Sequence, residues 1–89
     1  MKYKNMHLAI TITGIRLKEI REERQIGVAA LGKYINKHHK TIIDIENGFA
    51  DPSIALLAQL IEGLGIEFTD FFDERYNDLF YEITRKEQH

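Results

Sequence analysis

Apolar residues change their spacing several times along the chain, and each change marks an element. Residues 7–13 alternate Leu8, Ile10 and Ile12 with Ala9, Thr11 and Thr13, a period of two rich in β-branched residues that predicts a strand closed by Gly14. From residue 15 to 24 the period lengthens. Leu17, Ile20 and Arg24 fall on one side and Lys18, Glu19, Glu22 and Glu23 elsewhere, which predicts an amphipathic helix. A second short helix is expected over 28–35 with Leu31 and Ile35 inward, broken by Asn36-Lys37. A third is expected over 39–46 with Ile42 and Ile45 inward, ended at Asn47-Gly48 by a left-handed stop. "ADPS" then resets the chain: Pro52 suits a first helical position, with Asp51 or Ser53 as cap. Residues 54–64 form an apolar helical pattern (Ile54, Leu57, Leu60, Ile61, Leu64) stopped by Gly65. Thr69 can cap a last helix whose start carries Asp70, Asp73 and Glu74. Phe72, Tyr76, Leu79, Phe80 and Ile83 fit one helix face, although "LFYEIT" is equally strand-prone.

Length and composition narrow the class. At 89 residues the chain is one small domain, able to bury about 60% of its unfolded surface. With no cysteine there is no disulfide, thiolate zinc site or cysteine nucleophile, which fits a reducing, cytoplasmic setting. No apolar run approaches the roughly 20 residues of a membrane span, so no membrane partner is expected. The short, threonine-broken "HLAITIT" lacks the cleavage site of a signal peptide. The net charge of −2 hides an asymmetry: residues 1–48 carry nine Lys/Arg against five Asp/Glu, and residues 49–89 carry three against nine. One face is thus suited to a polyanion and another faces away from it, unless the clustering is only a solvated surface.

Several short helices, the second and third separated by a three- or four-residue turn, make a helix-turn-helix arrangement. Gly14, Leu17, Ile20 and Arg21 in "GIRLKEIR", then Ile26, Leu31, Ile35, Ile42 and Ile45, recur at fixed spacing. "IENG", Pro52, "LLAQLIEGLGI" and "DFF" complete the series. Over residues 14–72 the chain resembles the Cro/repressor-like (XRE-type) helix-turn-helix family, without a gap. The resemblance implies an all-α, five-helix, lambda-repressor-like bundle that binds operator DNA as a homodimer. It divides the chain into an N-terminal arm or strand (1–13), the helix-turn-helix domain (14–72) and a C-terminal extension serving dimerisation (73–89). The sequence departs from the family at Gly27 and Val28, where a Ser/Thr cap and a phosphate-binding Gln are usual. It departs again at Lys37, His38 and Asp44.

In this family the third helix, within residues 38–47, enters the major groove by its N-terminal end. The resemblance assigns base-contacting places to His39, Lys40 and Asp44, with Ile43 on the same exposed side. Lys40 can donate to guanine O6 or N7, Asp44 can accept from cytosine N4, and Ile43 can touch a thymine methyl. His38 and Asn47 stand where the family meets phosphate, and Lys37 joins them. Lys33, Lys18 and the arm lysines Lys2 and Lys4 would widen the positive footprint. Arg21 and Glu46 match a structural salt bridge that ties the first helix to the end of the third.

The plain alternative for His38-His39-Lys40 is a polar helix start on a solvated face. A metal site is not expected, because adjacent histidines rarely serve one ion and no carboxylate stands at ligand spacing. An enzyme is not expected either: there is no phosphate loop, and the one serine, Ser53, has a capping role. No cofactor follows from the sequence. The expected function is a transcriptional regulator, probing DNA as a repressor. The alternative is a protein-interaction module of the same fold, an antitoxin or anti-repressor with a protein partner and weak DNA binding.

Overall fold

The computed structural model describes residues 4–87, and among them the chain forms six helices. They are α1 (Lys4–Glu23), α2 (Val28–Ile35), α3 (His39–Glu46), α4 (Ile54–Gly63), α5 (Phe68–Phe71) and α6 (Glu74–Glu87). Leu17 and Ile20 of α1, Leu31 and Ile35 of α2, Ile42 and Ile45 of α3, Leu60 and Ile61 of α4 and Phe71 of α5 converge in one core. Burying each such side chain contributes about 1.5–3 kcal/mol, so the apolar stripes of α1–α5 hold the bundle together.

The strand expected at 7–13 is not there: these residues continue α1. Leu8 and Ile12, which fit a period of two, are also four apart and so share a helix face. Both are buried against Leu79 of α6 in a second, smaller cluster flanked by Ile15, Tyr76, Phe80 and Ile83. Contact with a residue nearly the whole chain away decides between two local readings of the same apolar residues. Ile10, which a strand would have buried beside them, stays only half-buried. α1 is therefore unbroken across residue 14, and no separate strand or arm precedes the bundle in the described residues. Lys2 lies outside them, as does the side chain of Lys4.

The helix ends follow from backbone chemistry. Four helices stop with a residue in the left-handed region: Gln25 (φ 56°), Asn36 (φ 57°), Gly48 (φ 78°) and Gly65 (φ 80°). At each, two backbone N–H groups reach back over the last turn, as when Lys37 N donates to the Gly32 carbonyl at 2.8 Å and Phe49 N to that of Asp44 at 2.8 Å. Ser53 caps α4, its Oγ accepting from Leu56 N at 3.0 Å. Thr69 does not begin the last helix. It lies inside α5, and Asp73 takes the capping role for α6, Oδ1 accepting from Tyr76 N at 3.0 Å.

α6 settles "LFYEIT" as helix and folds back on α1. Arg16 Nη2 donates to Asp73 Oδ2 at 2.8 Å, and Arg75 Nη2 donates to Glu19 Oε2 at 2.6 Å. The Thr13 and Tyr76 hydroxyls share a hydrogen bond of 2.9 Å. α6 is thus anchored to α1 around the Leu8–Ile12–Leu79 cluster.

Candidate nucleic-acid interface

Asn36, Lys37 and His38 link α2 to α3, a three-residue turn. Its tightness has a steric origin: a Cβ on Gly32 would lie 2.6 Å from the Lys37 carbonyl oxygen, so only glycine lets the chain fold back this closely. The left-handed Asn36 makes the reversal, a conformation that asparagine tolerates better than most residues. His38 then caps α3, its Nδ1 accepting from Lys40 N at 3.2 Å.

α3 has two contrasting faces. Ile42, Ile45 and Glu46 are buried, while His39, Lys40 and Ile43 are exposed and Asp44 is half-exposed. Lys37, His38 and Asn47, at its two ends, are exposed as well. The side chains that the sequence singled out for DNA thus share the outer side and ends of one helix. Lys33, Lys37, His38 and His39 border an open groove between α2 and α3. The His38 and His39 rings stack, centroids 4.4 Å apart. Lys18, on α1, is exposed but lines a different depression beside Glu19, Glu22 and Glu46, which makes it a poor neighbour for phosphate.

Two contacts fix α3 against α1. Arg21 Nε donates to Glu46 Oε2 at 2.7 Å and Nη2 to Oε1 at 3.1 Å, while Nη1 donates to the Ile26 carbonyl at 2.8 Å. The hydrogen bonds to Glu46 raise the Arg21 pKa above its ordinary value, although burial opposes them. Further toward the start of α1, a Cβ on Gly14 would collide with the Ile45 carbonyl oxygen. Gly14 therefore does not end a strand; it is the point where the backbones of α1 and α3 cross in close approach.

The outer face also carries a contact that follows from sequence spacing. Lys40 Nζ stands 3.3 Å from Asp44 Oδ2, an ion pair on the surface of α3. The signal was the four-residue spacing of opposite charges on a helix.

A tight turn joining two short helices, the second packed by one face and bare on the other, defines a helix-turn-helix protein. The chain belongs to the helix-turn-helix family HTH_3, of the XRE or Cro/repressor-like type, whose model matches residues 17–71. That is more than half of the chain, from within α1 to the end of α5. It is a family of DNA-binding regulators, not of enzymes. No curated protein and no solved structure matches the chain. No described helix is long and apolar enough to cross a membrane.

Proposed function

We propose that the protein is a sequence-specific transcriptional repressor that inserts the N-terminal half of α3 into the major groove of operator DNA. The observation that carries this reading is the bare face of α3, where His39, Lys40, Ile43 and Asp44 stand clear of a core that holds Ile42 and Ile45. His39, Lys40, Ile43 and Asp44 read base edges, while Lys37, His38 and Asn47 meet the backbone. Reading paired half-sites, which lie about 34–36 Å apart, calls for a homodimer. A second copy covers the apolar groove bordered by Ile10, Pro52, Ile54, Phe72 and Tyr76, where Ile54 is 73% exposed. α6 supports that surface through Tyr76 and its docking on α1.

In-vitro selection of bound duplexes, repeated at two salt concentrations, tests the proposal. An enriched palindromic site and a log–log salt slope of roughly −0.9 per phosphate contact are expected. Ile54→Glu is expected to give a monomer by light scattering, with weaker operator binding. Binding that selects no sequence turns the reading toward a protein-interaction module, an antitoxin or anti-repressor, which the neutralisation of Lys40 by Asp44 favours.

A further inference from the structure

We infer that Lys40 and Asp44 act together as one reading head for a single G·C base pair, in one orientation only. This rests on the proposed binding of α3 in the major groove and specifies what it recognises there.

The two residues are four positions apart, so their Cα atoms are separated by about 6 Å along the helix axis. Base pairs repeat about every 3.4 Å, so two independent side chains at this spacing would address different pairs. Their charged ends nevertheless converge. Lys40 Nζ lies 3.3 Å from Asp44 Oδ2 and 3.4 Å from Oδ1. A donor and an acceptor are thereby offered side by side.

A G·C pair presents the complement. Guanine shows O6 and N7 as acceptors, and cytosine N4 beside them keeps an outward hydrogen to donate. O6 and N4 are joined by the Watson–Crick bond, at about 2.9 Å, close to the separation within the ion pair. Lys40 set on guanine and Asp44 on cytosine satisfy both edges at once. Turning the base pair round sets the ammonium against the N4 amino group and the carboxylate against O6 and N7, two repulsions. A T·A pair also offers an acceptor next to a donor, at thymine O4 and adenine N6. It gives the ammonium only O4, crowded by the methyl, and sets adenine N7 beside the carboxylate.

Asp44 also acts by exclusion. A carboxylate facing DNA is repelled by phosphate, and by holding Lys40 it keeps that ammonium from contacting the backbone indiscriminately. The pair is exposed, and such pairs are weak in water, so it can yield to matched base edges.

Selection experiments with three proteins test this: wild type, Asp44→Ala, and the exchange Lys40→Asp with Asp44→Lys. Both substituted positions, 40 and 44, are on the outer face, and circular dichroism checks that each protein folds. Wild type is expected to require G·C at one position of each half-site, with a loss of about tenfold or more for the reversed pair. The exchanged protein is expected to prefer C·G at that position and keep the rest of the site. Asp44→Ala is expected to relax the position, bind scrambled duplex more tightly and steepen the salt slope by about 0.9, one further phosphate contact. A selected site that is unchanged by the exchange overturns the paired reading while leaving operator binding intact. Wild type that selects no site at all overturns both.

Discussion

Replacing Glu46 by alanine removes one carboxylate and strands a guanidinium that the fold has taken out of water. The Glu46 side chain is 5% exposed and that of Arg21 12%, so solvent screens the pair little. Breaking a buried ion pair by deleting one partner costs about 3–5 kcal/mol. Arg21 keeps its bond to the Ile26 carbonyl at 2.8 Å, which holds the loss toward the lower end, about 3 kcal/mol. For a domain of this size each kcal/mol lowers the thermal midpoint by about 4–8 °C, so a fall of roughly 12–24 °C is expected. Urea unfolding followed by circular dichroism gives the free energy, with Asp44→Ala as an exposed-pair control costing under about 0.5 kcal/mol. Arg21→Met together with Glu46→Leu is expected to recover most of the loss, because the unpaired charge is then gone. Glu46→Ala within about 0.5 kcal/mol of wild type refutes the claim that this pair holds α3 in place.

Three further outcomes are expected. In the folded chain Arg75 hydrogen bonds hold the Glu19 carboxyl below its ordinary pKa against the opposing effect of burial, with Arg16 adding to them. For Asp73, burial pushes upward but is outweighed by the Tyr76 N–H and Arg16. Both values are depressed on folding, so their stabilisation is complete above the unfolded values, near about 4, and is lost as pH falls through the folded ones. Hydrogen exchange should show α6 loosening from α1 first on acidification, and equal loosening of α3 counts against this. Gln25→Gly removes left-handed strain from a side chain and should stabilise the fold by about 1 kcal/mol in urea unfolding; a loss there refutes the assignment. Gly14→Ala should destabilise by roughly 1–3 kcal/mol by forcing α1 from α3, and weaken DNA binding with it; an unchanged urea midpoint refutes the close crossing.

Most of the bundle was readable because its apolar residues recur with helical period and its stops are chemically explicit. The reading of α2 and α3 needed only Leu31, Ile35, Ile42 and Ile45, bounded by Asn36 and Gly48. The first third of α1 was not readable, because Leu8 and Ile12 satisfy both periods and only Leu79 distinguishes them. Gly14 misled for a related reason: a glycine that admits a crossing helix looks, in sequence, like one that ends a strand. Thr69 and Asp73 are both good caps, and the choice was made by Arg16, which binds Asp73 from another helix. At the interface, burial of Ile42 and Ile45 told which side of α3 is bare. The Lys40–Asp44 contact depends on rotamers that no pattern specifies, although its spacing permitted it.

The histidine that opens α3 has a consequence in its tautomer. Because Nδ1 of His38 accepts the Lys40 backbone N–H, a neutral ring must carry its hydrogen on Nε2, on the far side of the imidazole. That hydrogen is a donor available to a phosphate oxygen with no proton taken from solution. The ring that begins the helix therefore gives one nitrogen to the backbone and turns the other outward, so one side chain serves both the cap and the outer face.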